Sequence, residues 1–426
     1  MARRIAELAG FGKRGRTGLA DRLRFRHSWG RLSSDPRMPN PSRTTVDLIK
    51  KLVAFDTTSR NSNLALIQFV QGYLKDLGID AQLVFDETGK KANLLATIGP
   101  ANRSGLLISG HTDVVPVDGQ KWASDPFAVR EKDGRLYGRG TCDMKSFVAT
   151  ALALVPEFQR ATLTAPVHFS FSYDEEVGCL GVRRLIAELE RLKLRPTACV
   201  VGEPTSMKVV RSHKGKISYR CHVRGFECHS SLAPRGVNAV EFAAEVVAHI
   251  RRLERRFVAE GPFDPDFDVP HTTAHTGLIH GGTALNIVPK ECWFDFEFRY
   301  LPGQDPYALV GEVKRFAEEL APEMRRVHAE AGFSWEEISG FPGLSIEEDA
   351  EIAQMAKSAA GDNAAAGKVA FGTEAGLFNA AGIPTIVCGP GNIEQAHKPD
   401  EFVTLEQVAL CEAFLRRLVE RYARPV

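Results

Sequence analysis

Apolar residues three and four positions apart recur at Val46, Leu48, Ile49, Leu52 and Val53, and again over 64–77, a spacing that gathers them on one face of a helix. Short apolar runs follow, each closed by Gly or a polar residue: NLLATIG, LLISG, VHFSFSY, ACVVG and, far downstream, PTIVCG. Runs of that length suit strands, and helical patterns over 147–158 and 182–192 separate most of them. Strands alternating with helices predict an α/β fold, a mixed and mostly parallel sheet with flanking helices.

The pattern changes over about 211–323. KISYRCHVRG alternates apolar and polar residues, a helical pattern spans 239–257, and a loop rich in Pro, Asp and His leads to GLIHGG, CWFDFEFRY and a helix over 307–320. Strict alternation marks strands with one solvated face, so 211–323 is expected to be an inserted α+β domain. The α/β pattern resumes near Ile346, which leaves 41–210 and 324–426 as the main domain.

Composition narrows the field. With 426 residues, 44% of them hydrophobic and 25% charged, the chain reads as a soluble globular protein of two domains or more. A net charge of +1 argues against a general nucleic-acid or membrane-surface binder, and no apolar run nears the roughly 20 residues of a spanning helix. Eight cysteines stand singly at 142, 179, 199, 221, 228, 292, 388 and 411, without a CxxC pair, and are expected to be reduced thiols of a cytoplasmic protein. Residues 1–37 hold ten Lys or Arg against three Asp or Glu. That segment reads as a basic tail, a transit-like segment, or sequence upstream of a start at Met38, and is set apart from the fold.

Candidate chemistry sits where the strands end. LLISG runs into His111 and Asp113, VHFSFSY into Asp174, Glu175 and Glu176, ACVVG into Glu203, and PTIVCG into a Gly/Pro loop that reaches His397. In an open parallel sheet, binding groups gather beyond the carboxyl ends of the strands. Asp143, just before the 147–158 helix, fits the same crevice, since a helix N-terminus favours an anion. Alone, an HxD is an ordinary loop contact and an acidic pair an ordinary solvated turn; five converging segments are neither. Two histidines and several carboxylates without cysteine suit zinc, cobalt or manganese, and one carboxylate can bridge two ions that share a water.

The segments SGHTDVVPV, YGRGTCDMK, SYDEEVG, VGEPT, FGTEAGLF and GPGNIEQAHKPDEFV resemble the M20 metallopeptidase and deacylase family from about Pro41 to the end. The resemblance implies a zinc-exopeptidase-like catalytic domain and a ferredoxin-like dimerisation insert. It implies His111 and Glu203 on one metal ion, Glu176 and His397 on another, and Asp143 bridging them. Asp113 would orient His111, and Glu175 would be the general base. His229 in GFECHSS would cross a homodimer interface to stabilise the developing oxyanion, and Asn286 and Arg299 would grip the substrate. Glu374 in FGTEAGLF would pair with a substrate side-chain ammonium. The implied reaction is removal of acetate from N-acetyl-L-ornithine in arginine biosynthesis. The alternatives are desuccinylation of succinyl-diaminopimelate, deacylation of another N-acyl amino acid, and a metal-free binding protein on the same fold.

Overall fold

A computed structural model of the protein describes residues 40–100 and 103–424, so the basic segment 1–37 and every reading of it lie outside the described residues. Helix α1 (Arg43–Val53) starts where the Ser42 hydroxyl accepts the Thr45 N–H, and it buries Leu48, Ile49, Leu52 and Val53 as their spacing predicts. There follow α2 (Leu64–Asp76), the hairpin of β1 (Ala81–Phe85) and β2 (Ala92–Ile98), β3 (Leu106–His111), the short pair β4 (Arg130–Lys132) and β5 (Arg135–Tyr137), and α3 (Lys145–Arg160). Next come β6 (Val167–Ser172), α4 (Leu180–Arg191), β7 (Ala198–Pro204) and β8 (Val210–His213). The chain then builds β9 (Gly215–Arg224), α5 (Ala239–Glu260), β10 (Thr273–Gly281), β11 (Glu291–Tyr300), α6 (Pro306–Val327) and β12 (Gly332–Phe341). It returns through β13 (Leu344–Ser345), α7 (Glu351–Ala360), β14 (Gly367–Val369), α8 (Ala375–Ala380), β15 (Thr385–Gly389), β16 (Phe402–Thr404) and α9 (Leu405–Glu420).

The main sheet has the order β1-β2-β6-β3-β7-β15-β8-β13, with β14 beside β8. Its centre, β6-β3-β7-β15, is parallel, and every residue of those four strands is buried, as parallel strands covered by helices must be. The flanks turn antiparallel at β1/β2, β2/β6, β15/β8 and β8/β13, so the expected parallel character holds at the centre, where the candidate residues are. Helix α3 packs closely against this centre. At Gly202, next to Glu203, an added Cβ would lie 1.9 Å from the Phe147 ring, so only glycine admits the helix there.

The second sheet, β10-β11-β9-β12, is antiparallel throughout, and the βαββαβ order is that of the ferredoxin-like fold. Alternation in β11 puts Cys292, Phe294, Phe296, Phe298 and Tyr300 into a core with Ala243, Val246 and Ile250 of α5 and Val310 and Val313 of α6. That core is separate from the main one.

The insert's sheet ends at Phe341, beyond the 323 expected from the sequence, because β12 belongs to it. In GFSWEEISGF adjacent glutamates dilute the alternation, and a bulge between Glu337 and Ser339 shifts its parity. The strand is therefore invisible to a period-two reading. All eight cysteines are unpaired thiols, seven of them buried. Among the described residues no helix is long and apolar enough to cross a membrane.

Candidate metal centre

Five segments converge beyond the carboxyl ends of the central strands. His111 closes β3; Glu175 and Glu176 follow β6 in a turn that opens at Asp174 with a left-handed φ of 54°. Glu203 lies near the end of β7, Asp143 in the loop before α3, and His397 in the loop after β15. His111 Nε2 is 2.9 Å from Asp143 Oδ1 and 3.5 Å from Glu203 Oε1. His397 Nε2 is 3.2 Å from Asp143 Oδ2 and 3.2 Å from Glu176. Each oxygen of Asp143 thus faces a different imidazole. Ligand-type atoms of His111, Glu175 and Glu203, and of His111, Asp143 and Glu176, lie within 4.8 Å of one another.

Asp113 organises this cluster from behind. His111 Nδ1 faces its carbonyl at 3.0 Å and its Oδ1 at 3.5 Å, which turns Nε2 toward Asp143 and Glu203. The same carboxylate accepts the backbone N–H groups of Glu175 (3.1 Å) and Glu176 (3.3 Å) and the Ser59 hydroxyl (2.7 Å), so it also sets the acidic turn. Asp174 is bound by Lys91 at 2.5 Å. The Cys179 thiol donates to Glu175 Oε1 at 3.3 Å. Neither this contact nor Glu401 and Arg139, which buttress the Asp143 loop, follows from the sequence reading, although YGRG and KPDEFV lie within the quoted segments.

The electrostatics describe a site built for cations. Burial disfavours a charge on His111, yet Asp113, Asp143 and Glu203 outweigh it and raise its pKa well above the ordinary value. Hydrogen bonds from its Nε2 to the carboxylates of Asp143 and Glu176 raise His397 to about 10. Burial pushes Glu175 up to about 8, with Glu176 and Asp143 adding to the rise, and burial with Asp143 raises Glu176 and Glu203. Asp143 goes the other way: burial opposes its ionisation, but both histidines hold it below the usual carboxylate range. Clustered carboxylates that must share protons, with imidazoles kept cationic between them, fit two divalent cations in donor type and arrangement.

The remaining candidates fall elsewhere. His229 and Asn286 meet on one exposed edge of the insert, where the Ser230 N–H donates to the Asn286 carbonyl at 3.0 Å and His229 bridges Ile287. His229 Nδ1 is 2.8 Å from the Ser231 hydroxyl. Arg299, on β11, pairs with Glu297 at 3.0 Å. None of the three touches the cluster within one chain.

Glu374 requires a correction. The sequence suggests a carboxylate open to a substrate ammonium, but Glu374 is 0% exposed and accepts the hydroxyls of Ser109 (2.6 Å) and Ser172 (2.7 Å) beneath β3 and β6. Both its oxygens are engaged below the floor of the site. Removing it would leave the buried Ser172 hydroxyl without a partner and the Ser109 hydroxyl with Ser170 alone, at about 1–3 kcal/mol for the stranded group. Glu374→Ala is therefore expected to lower the unfolding temperature by several degrees, and Glu374→Gln to leave KM unchanged. A KM raised tenfold in a folded Glu374→Gln protein would return the residue to the substrate.

Residues 107–421 match the model of Peptidase family M20/M25/M40. An acetylornithine deacetylase of Edwardsiella ictaluri is 33% identical over 390 residues, 89% of this chain and 98% of that protein. Among solved structures, the M20 family metallo-carboxypeptidase Sso-CP2 from Sulfolobus solfataricus superposes with a TM-score of 0.70 at 17% identity, covering 89% of this chain and 99% of its own. A dinuclear metal binding peptidase from the M20 family in Bacillus subtilis gives a TM-score of 0.61 at 16% identity, covering 88% of this chain and 96% of its own. The likeness to the structures concerns the fold; the family match spans His111, Asp143, Glu175, Glu176, Glu203 and His397. By sequence, the chain belongs to Peptidase family M20/M25/M40.

Proposed function

We propose that this protein is a dimetal amidohydrolase that removes acetate from N-acetyl-L-ornithine, giving L-ornithine for arginine biosynthesis in the cytoplasm. The observation that carries the reading is the complete donor set at the strand ends, in a chain aligned along 89% of its length with an acetylornithine deacetylase. His111 and Glu203 would hold one ion, His397 and Glu176 the other, and Asp143, with one oxygen toward each histidine, both. Zinc suits these donors best, with cobalt or manganese able to replace it. When bound, such a pair lowers the pKa of a shared water and polarises the amide carbonyl.

The chain's own groups do the rest. Asp113 fixes the His111 tautomer and the backbone of the Glu175–Glu176 turn. Glu175 takes the proton of the attacking water and passes it to the departing amine, freeing ornithine and acetate. Glu175 and Glu176 contribute differently: within the turn Glu176 lies 3.2 Å from His397 and would hold an ion, while Glu175, beside the Cys179 thiol, would face the water.

A homodimer completes this reading. The insert exposes Leu285, Leu232, Ile287 and Phe226 around His229 and Asn286, an apolar rim suited to a second copy. From there His229 would donate to the carbonyl oxygen as negative charge builds on it, worth about 3 kcal/mol in comparable sites, and Asn286 and Arg299 would grip the substrate's carboxylate. A metal-free binding protein would not need five converging donors, and none is missing.

Purified protein supplied with zinc or cobalt is expected to hydrolyse N-acetylornithine with a kcat/KM at least about tenfold above N-acetylcitrulline or succinyl-diaminopimelate. A negligible rate on N-acetylornithine beside a high rate on either rival would overturn the substrate assignment while leaving the metal centre standing.

A further inference from the structure

Asp143 and His397 come from loops far apart in sequence, and their mutual contact engages only the inner side of each. On the outer side a continuous set of hydrogen bonds joins them. Buried Glu401 accepts, through Oε1, the backbone N–H groups of Gly140 (3.0 Å), Cys142 (2.8 Å) and Asp143 (3.1 Å). Its Oε2 takes Arg139 Nη1 at 2.5 Å, and Arg139 Nη2 donates to Gln120 Oε1 at 2.7 Å. Trp122 Nε1 donates to that same oxygen at 3.0 Å, with the Arg139 guanidinium 5.1 Å over the Trp122 ring.

Arginine and the indole can only donate, so the Gln120 amide has one orientation, and its Nε2 donates to the His397 carbonyl at 3.0 Å. His397 itself has a left-handed φ of 61°, a conformation that a residue with a side chain keeps only when neighbours hold it.

We propose that Gln120, aimed by Arg139 and Glu401, is a positioning residue for His397, and that this relay sets how tightly the half-site of His397, Glu176 and Asp143 holds its divalent ion. The inference rests on the dimetal reading and says what that reading leaves open: why an imidazole on an exposed loop, with a side chain 49% accessible, stays aimed at Asp143. Without the amide, the left-handed loop relaxes and His397 Nε2 drifts from Asp143 and Glu176. His111 and Glu203, held on β3 and β7, are unaffected.

Glu401 and Arg139 are too deeply buried for a clean variant, since breaking one partner of a buried pair strands the other. Gln120 lies at the rim and can be replaced. Chelator-stripped native protein, Gln120→Met and Gln120→Glu are titrated with Zn²⁺ by calorimetry, with the unfolding temperature measured alongside. In Gln120→Met one ion is expected to bind about 10–100-fold more weakly and the other as in the native chain.

Gln120→Glu keeps an acceptor for Arg139 and Trp122 but has no donor for His397. Its unfolding temperature is expected near the native value while the second ion stays weak. Native-like binding of both ions by Gln120→Glu or by Gln120→Met overturns the inference, as does equal weakening of both sites. Native protein that binds fewer than two ions overturns the dimetal reading itself, and this inference with it.

Discussion

Glu175→Gln is expected to keep both divalent ions and the native unfolding temperature while losing about 10²–10⁴-fold in kcat, the usual contribution of a positioned general base. The substitution is nearly isosteric. One side-chain oxygen remains to receive the Cys179 thiol, and the backbone N–H to Asp113 is untouched, so the turn has no reason to move. What disappears is the ability to take a proton. Because the base works ionised, kcat/KM of the native enzyme is expected to rise as pH climbs through the Glu175 pKa. Burial pushes that carboxyl up to about 8 in the bare site, and bound cations pull it lower. Metal content by mass spectrometry and kcat on N-acetylornithine are the measurements. Unchanged turnover with two ions bound removes Glu175 from the proton path, and loss of an ion makes it a ligand instead.

The parts legible in sequence were those governed by short-range periodicity. The four central strands are short apolar runs with Gly or polar ends, and in the fold their carboxyl ends bring His111, Glu175, Glu176 and Glu203 together as the topological argument anticipates. Asp143 and His397 join them from loops, which periodicity cannot place; the motifs carried those two. The failures have equally local causes. Strand β12 was lost to a bulge and a pair of glutamates, and the insert's boundary moved with it.

Glu374 was misread because a carboxylate after a Gly-Thr turn carries no sign of which way it faces. Its partners, Ser109 and Ser172, sit on two strands far away in the chain, and nothing in FGTEAGLF announces them. The support for Asp143 was hidden for the same reason: Glu401 lies four residues past a candidate ligand, and its task is to collect amides from the other end of the catalytic domain.

Removing the ions is expected to abolish hydrolysis and to make stability fall as pH rises, the reverse of an ordinary acid-sensitive enzyme. In the bare site His111 and His397 bind protons more tightly than in the unfolded chain, where a histidine titrates near 6.5. Their stabilisation is complete below that value and is lost as pH passes toward about 10, the folded value for His397. Glu175, Glu176 and Glu203 are also raised, by burial first, so between the ordinary 4.5 and their folded values the native chain again holds the extra protons. Both sets act in one direction: the unfolded state binds fewer protons, and raising the pH favours it. Asp113 and Asp143, held low, oppose this only in acid, near and below 3.8.

Two divalent ions replace those protons, so the loaded protein is expected to keep a nearly constant unfolding temperature from pH 6 to 9 while the chelated protein loses several degrees over the same span. Thermal melts with and without chelator at pH 6, 7.5 and 9, followed by re-addition of zinc, measure the difference. Burial lowers Lys145 to about 7 and Lys214 to about 8, which acts the opposite way in both forms, so the gap between loaded and chelated protein is the readout. A gap that does not widen from pH 6 to 9 would show that the cluster does not take up the protons that the ions replace. The cations would then have no proton-sharing carboxylates to relieve.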